Sequence, residues 1–314
     1  MKRRFFYLTV LLLVVILHSC TKQTDSKLKS LIVTGIKSAK GSEMVSIRLD
    51  SGVINSTPVN CYVFGSTVYD PGSSGYGYVD CDTMFRLVNP VTGDLIKSFK
   101  LPGPLAQVVI DSEDNVLIGR YSTISYEDDP DTVDTKSIQV GAPVYTNYVI
   151  RVNLETGAIV SENQVDIGDG AYACSYFYDQ EEKGYVLLRA DNKLITINPS
   201  TGAVVKTVNI RNILHNVVYR SDNKTIIGLT YSSETDRNYI EVFDAETGVQ
   251  ISKKEVMQRD DYHACISGYD SESGCYLSVN YPQNEVLFIN ISTGEIEKTY
   301  KFEVPMNDIK FWRR

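Results

Sequence analysis

One short phrase recurs along this chain at a nearly constant interval: an Asn or Asp, two variable residues, then Thr-Gly. It stands in FRLVNPVTGDLIKSFKL, VIRVNLETGAIVSENQV, LITINPSTGAVVKTVNI, IEVFDAETGVQISKKEV and VLFINISTGEIEKTYKF. The flanks alternate β-branched and polar residues and the Gly takes positive φ at little cost, so each copy reads as a β-hairpin. The glycines are Gly93, Gly157, Gly202, Gly248 and Gly294, spaced by 64, 45, 46 and 46 residues. A degenerate sixth copy, VSIRLDSGVINSTPV, places Gly52 41 residues before Gly93. The one long spacing holds an insertion from about Ser122 to Thr146, and removing roughly 18 residues there restores the period.

Each unit carries two further strands before its hairpin. In ACSYFYDQEEKGYVLLRADNKLITINPSTGAVVKTVNI they are a strand A over Cys174–Tyr178 and a strand B over Tyr185–Arg189, followed by C and D around the Thr-Gly turn. A strand-only repeat in the mid-forties is the signature of a propeller blade. The last residues, MNDIKFWRR, have the strand-A pattern with nothing after it, whereas SLIVTGI and EMVSIRL begin the domain with B and C and no A. Joining the two ends in one blade gives the expected fold: all-β, a six-bladed β-propeller over residues 31–314, closed by pairing the C-terminal strand with the N-terminal blade. Seven blades is the alternative, and it needs a unit that the sequence does not show.

These units resemble the YVTN/quinoprotein-like and TolB-like propellers, in which an Asp-x-x-Thr-Gly phrase closes the outer hairpin. The resemblance covers about Leu31 to Arg314. Members of those families include quinone-dependent dehydrogenases, cyclotransferases, lyases, protein-docking modules and envelope lipoproteins. The tryptophan docking pattern of the quinone-binding members is absent, Trp312 being the single Trp. The resemblance therefore implies no quinone, and no cofactor is expected.

The N-terminus is read separately. Lys2, Arg3 and Arg4 precede the apolar run Phe5–Leu17, and His18-Ser19-Cys20 follows. That is a secretory signal over residues 1–19, too short for an ordinary membrane span. Leu-His-Ser-Cys resembles the lipobox of bacterial lipoproteins, with His18 a departure from the usual small or aliphatic residue. The resemblance implies acylation of Cys20 (a palmitate-type anchor), a flexible tether over residues 20–30, and a cell-envelope location at the outer membrane of a Gram-negative bacterium. Without its three leading basic residues the chain has 28 Lys+Arg against 39 Asp+Glu, a net charge of −11. So acidic a domain is not expected to bind nucleic acid. A monomer is expected.

In a propeller the D–A and B–C loops share one face, here the loop face, and the A–B and C–D turns share the other, the turn face. The Thr-Gly turns are structural, while the variable segments collect on the loop face and are where a function is expected. Candidate binding residues there are Tyr121, Tyr126, Tyr172, Arg211, Tyr231, Arg259 and Tyr262, mostly amphipathic side chains suited to a protein or glycan. The acidic insertion reads as a solvated flap. Aligning the A strands on Asp70, Asp111, Asp179, Arg220, Asp270 and Arg313 gathers Gly65, Ala106, Cys174, His215, Cys265 and Asp308 five residues upstream. His215 and His263 are candidate general bases and Asp308 a candidate partner, with no geometry to fix them. Cys, His and Asp are zinc-type ligands, but no close spacing joins two of them, so no metal is expected. Cys61 and Cys81, and likewise Cys265 and Cys275, are symmetric about A–B turns. Two disulfides with Cys174 free, or buried free thiols throughout, both remain open.

The expected function is a lipid-anchored envelope module that binds a protein partner or glycan on the loop face. The alternative is a propeller enzyme of lyase, hydrolase or cyclotransferase type, acting at the channel mouth.

Overall fold

The computed structural model describes residues 31–37, 42–126, 143–168, 173–256, 266–280, 283–303 and 305–314. Apart from one 3-10 turn at Ser221–Asn223, every regular element described is a strand. Numbered along the chain, the strands of blade 1 are β1 (Leu31–Lys37), β2 (Ser42–Arg48) and β3 (Gly52–Val59). Blade 2 has β4 (Thr67–Asp70), β5 (Gly75–Val79), β6 (Met84–Val88) and β7 (Leu95–Lys100). Blade 3 has β8 (Ala106–Asp111), β9 (Val116–Tyr126), β10 (Pro143–Asn153) and β11 (Ile159–Val165). Blade 4 has β12 (Ala173–Asp179), β13 (Gly184–Arg189), β14 (Lys193–Ile197) and β15 (Val204–Asn209). Blade 5 has β16 (His215–Arg220), β17 (Thr225–Ser232), β18 (Arg237–Asp244) and β19 (Gln250–Val256). Blade 6 has β20 (Ser267–Asp270), β21 (Cys275–Asn280), β22 (Glu285–Asn290) and β23 (Ile296–Lys301). The last strand, β24 (Asn307–Arg313), pairs antiparallel with β1 and completes blade 1. Six four-stranded antiparallel sheets result, and their innermost strands touch in order around the ring.

The second strand of most blades is apolar at consecutive positions because both of its faces are covered. In β13, Tyr185 and Leu187 enter the core shared with blade 3, while Val186 and Leu188 enter the core shared with blade 5. Six such cores exist, one in each gap between neighbouring blades, so no blade buries its own faces. Each fully buried Leu or Ile contributes about 1.5–3 kcal/mol of transfer free energy.

The Thr-Gly turns have a uniform chemistry. In Asn198-Pro199-Ser200-Thr201-Gly202, Asn198 Oδ1 accepts the Ser200 N–H at 2.9 Å, the Asn198 carbonyl accepts the Gly202 N–H at 2.8 Å, and Thr201 Oγ1 accepts the Ala203 N–H at 3.3 Å. The side-chain acceptor and the left-handed glycine are what the motif supplies. The degenerate copy has Arg48 where the Asx would stand, which removes that acceptor.

Two expectations are corrected. The insertion is not all flap, because Ser122–Tyr126 and Pro143–Thr146 continue the β9–β10 ladder, with Tyr126 opposite Pro143. The remainder, 127–142, lies outside the described residues. The alignment of β24 also shifts by one. β8, β16 and β24 each carry a bulge facing a glycine of the next strand: Gly119, Gly228 and Gly35. The bulges begin at Gln107, Asn216 and Asp308, all at positive φ. Trp312, not Arg313, is therefore the equivalent of Asp111 and Arg220. Asp308 matches Gln107 and Asn216 rather than His215.

Candidate functional site

The loop face is uneven, and its most prominent feature is the prolonged β9–β10 ladder. Both strands run 11 residues, against five or six in β13 and β14 of the next blade. On one side of this arm Ile124 stands directly opposite Tyr145, the two 54% and 57% exposed. Below them Asn147 Oδ1 accepts from Ser122 at 2.8 Å and from Arg120 at 3.0 Å. On the other side Tyr121 and Tyr148 stack at 5.0 Å, and the Tyr121 hydroxyl donates to Glu162. Tyr121 thus braces the arm, while Ile124 and Tyr145 face solvent. Sequence reasoning missed Ile124, although its place opposite Tyr145 follows once the ladder is extended.

Blade 5 carries a second patch. Arg211 and His215 are exposed, Ile213 is 60% exposed, and Tyr231 points its hydroxyl at Asp236 Oδ1 at 2.8 Å. The His215 imidazole makes no hydrogen bond or ion pair among the described residues. The structure does not bring it to Asp308, whose Oδ2 accepts the Gly65 N–H at 3.1 Å. Burial pushes the Asp308 carboxyl above the usual range, against the Gly65 hydrogen bond and the field of Lys310. Cys20, Tyr172, Arg259, Tyr262, His263 and Cys265 lie outside the described residues, as does the side chain of Tyr126.

Cys61 and Cys81 form a disulfide with a Cα separation of 5.5 Å. It joins the loop entering blade 2 to the B–C loop of that blade, beside a polar pocket of about 260 Å³. An ion pair from Arg86 Nε to Asp80 Oδ2 at 2.7 Å occupies the polar groups of that pocket. Cys275 is a free, buried thiol, pushed up to about 12 chiefly by burial, with Glu297 beside it. Among the described residues no three His, Cys, Asp or Glu side chains gather as a metal site.

The channel carries a ring of contacts at its turn-face end. The hydroxyl of Tyr178 donates to Asp111 Oδ2 at 2.6 Å, and Tyr219 does the same to Asp179. Arg220 lies over the Tyr269 ring at 4.4 Å, and Trp312 stacks on Tyr69 at 5.2 Å. Each contact joins the residue at the Asp111 position of one inner strand (Asp111, Asp179, Arg220 or Trp312) to the penultimate residue of the inner strand of the next blade. These residues hold neighbouring blades together, and Tyr69 and Tyr269 also face the cavity. Above this ring lies a cavity of about 320 Å³ between blades 1, 2, 3, 4 and 6.

Fold and site together define an all-β, six-bladed propeller whose loop face, among the described residues, carries the prolonged β9–β10 arm. No known family profile matches the chain, and no curated protein matches it. Solved structures do. A provisionally assigned 6-phosphogluconolactonase of Bacteroides uniformis is 12% identical, with a TM-score of 0.52 over 90% of this chain and 99% of that one. Its counterpart from Bacteroides fragilis is 10% identical, with a TM-score of 0.52 over 90% of this chain and 98% of the other. Dihydro-heme d1 dehydrogenase NirN is 12% identical with a TM-score of 0.49, and this chain spans only 55% of its length. At these identities the likeness is one of fold.

Proposed function

We propose that this protein is a lipid-anchored binding module of the cell envelope that docks a protein partner through the arm of blade 3. The observation that carries the reading is the pair Ile124 and Tyr145, held side by side in solvent on a ladder longer than the blade requires. Leaving such side chains in water forgoes about 1.5–3 kcal/mol each of burial free energy, and aromatic anchors of this kind carry protein interfaces. Val144 adds apolar surface on the arm's other side, and Ile213 with Tyr231 adds a second contact region.

Chain direction sets the orientation that an anchor on Cys20 would impose. Leu31 enters at the turn face, its carbonyl accepting the Leu49 N–H at 3.2 Å beside the Asp50–Gly52 turn. A lipid on Cys20, joined by the ten residues 21–30, nine of them polar, keeps the turn face toward the membrane and leaves the arm directed away from it.

The test is photo-crosslinking in the native cell, with the reactive residue at position 124 or 145 and, as control, at position 205 on the turn-face rim. A discrete protein adduct from the arm positions and none from position 205 is the expected result. Equal labelling from all three, or adducts to glycan alone, refutes docking of a protein by the arm.

A further inference from the structure

One cation lining the channel cavity, Lys310, makes no ion pair among the described residues. Lys310 of β24 lines the cavity and is half-buried. Several other part-buried cations of this acidic protein sit in direct ion pairs: Lys224 with Asp179 at 2.7 Å, Lys253 with Glu241 at 3.0 Å, and Arg313 with Asp270 at 2.6 Å. Asp308 is the acidic group whose field Lys310 shares, but the two form no direct ion pair, and Asp308 Oδ2 accepts the Gly65 N–H at 3.1 Å. The Lys310 ammonium thus rests against the Tyr176 ring and in the field of Asp308, and it has N–H donors to offer a ligand anion.

The surroundings define that ligand. Tyr176 reaches from blade 4 across to blade 2, its hydroxyl donating to the carbonyls of Gly65 at 3.3 Å and Thr67 at 3.5 Å. Its ring forms a bar across the channel, with Lys310 Nζ 5.5 Å from the centroid. The cavity walls include Tyr69, Tyr269 and Phe311, with Ser267 among them. Ser267 donates to the Val217 carbonyl at 3.2 Å and keeps lone pairs for a ligand hydroxyl. The volume, about 320 Å³, sits at the small end of the range for small-molecule sites, about 300–1,000 Å³. A phosphate group favours several donors or an Arg fork, whereas one ammonium suits a single carboxylate.

We propose that the inner channel binds a small organic monocarboxylate, its carboxylate on Lys310 and an aromatic or aliphatic body against Tyr69, Tyr269 and Phe311. The site is independent of the arm and of any partner held there.

The test is calorimetric titration of the full-length chain in detergent with benzoate, benzyl alcohol and inorganic phosphate. Saturable 1:1 binding of benzoate is expected, at least about tenfold tighter than that of benzyl alcohol. Lys310→Met should weaken benzoate by about tenfold or more while leaving the unliganded protein as stable or more so, and Lys310→Arg should retain binding within a few-fold. The proposal is overturned if benzoate fails to saturate by about 10 mM, if Lys310→Met binds it equally well, or if phosphate binds more tightly than benzoate.

Discussion

At the scale of single residues, the Thr-Gly glycines serve two demands at once. Their φ is left-handed, +73° at Gly248, and a Cβ there would also lie 2.2 Å from the Asn209 carbonyl on the outer strand of the preceding blade. The same approach recurs at Gly294, whose Cβ would lie 2.1 Å from the Glu255 carbonyl. At Gly52, in the degenerate copy, nothing lies within 4 Å. Gly248→Ala should therefore cost about 2–4 kcal/mol, combining left-handed strain with a backbone clash, and Gly52→Ala only about 1 kcal/mol. Urea unfolding distinguishes them, and equal costs would refute the interblade role. The carboxylates make a second contrast. Burial opposes the charge of Asp179, but hydrogen bonds from Lys224 and Tyr219 outweigh it and hold the carboxyl below the usual range. Asp111 and Asp270 are held down likewise, by Tyr178 with Lys183 and by Arg313 with Ser273, also against burial. Their stabilisation is present above the unfolded-state value, near about 4, and is lost as pH falls through the lower folded values. Asp308 has the opposite sign: its raised value stabilises at acid pH and the benefit is lost as pH rises through that value. Asp179→Asn should thus be destabilising at pH 7 and nearly neutral at strongly acid pH, while Asp308→Asn should be neutral or stabilising at pH 7. Urea midpoints taken across pH check both signs.

Between strands, the blades alternate in kind. Blades 2, 4 and 6 share Tyr-Asp, four residues, then Gly or Cys and a Tyr: Tyr69 to Tyr76, Tyr178 to Tyr185, Tyr269 to Tyr276. The second Tyr is fully buried, and its hydroxyl donates to the bulge carbonyl of the preceding blade: Asp308, Gln107 and Asn216 respectively. Blades 1, 3 and 5 supply that bulge and the glycine that lets it close on strand B, where a Cβ at Gly35 would lie 2.9 Å from the Asn307 carbonyl. The ring is thus three pairs of blades. Tyr185→Phe removes a 2.6 Å hydrogen bond to a buried carbonyl and should cost about 1–3 kcal/mol. Tyr231→Phe, on the exposed loop face, should stay within about 0.5 kcal/mol of the parent in the same urea assay.

Over the whole molecule, closure depends on β24. It covers the free edge of β1, stacks Trp312 on Tyr69, lends its Asp308 carbonyl to Tyr76 and brings Arg313 to Asp270. Met306 and Ile309 also fill the core between blades 6 and 1. A chain ending before Asn307 should lose cooperative unfolding and aggregate through its exposed edge. Size-exclusion and urea traces of that truncation test the point, and a monomer with the parent midpoint would sink it.

The repeat period, the strand count per blade and the sharing of blade 1 between the two ends were all readable from the chain. They arise from local chemistry: an Asx acceptor, a left-handed Gly, and alternation with a period of two. The paired-blade pattern was present too, as the recurring Tyr-Asp phrase, but its meaning depends on which carbonyl each Tyr reaches across a blade gap. The bulge at Asp308 shifted the closing strand by one residue, and no sequence alignment signals that, because a bulge is defined only against its partner strand. Likewise, acidic residues in the insertion obscured the strand pairing that displays Ile124 and Tyr145. The meeting of Lys310 with the Tyr176 ring depends on β24 and β12 facing each other across the channel. Hairpins follow from neighbours in sequence, whereas a channel is assembled by strands from separate blades, and its chemistry depends on what each side chain meets there.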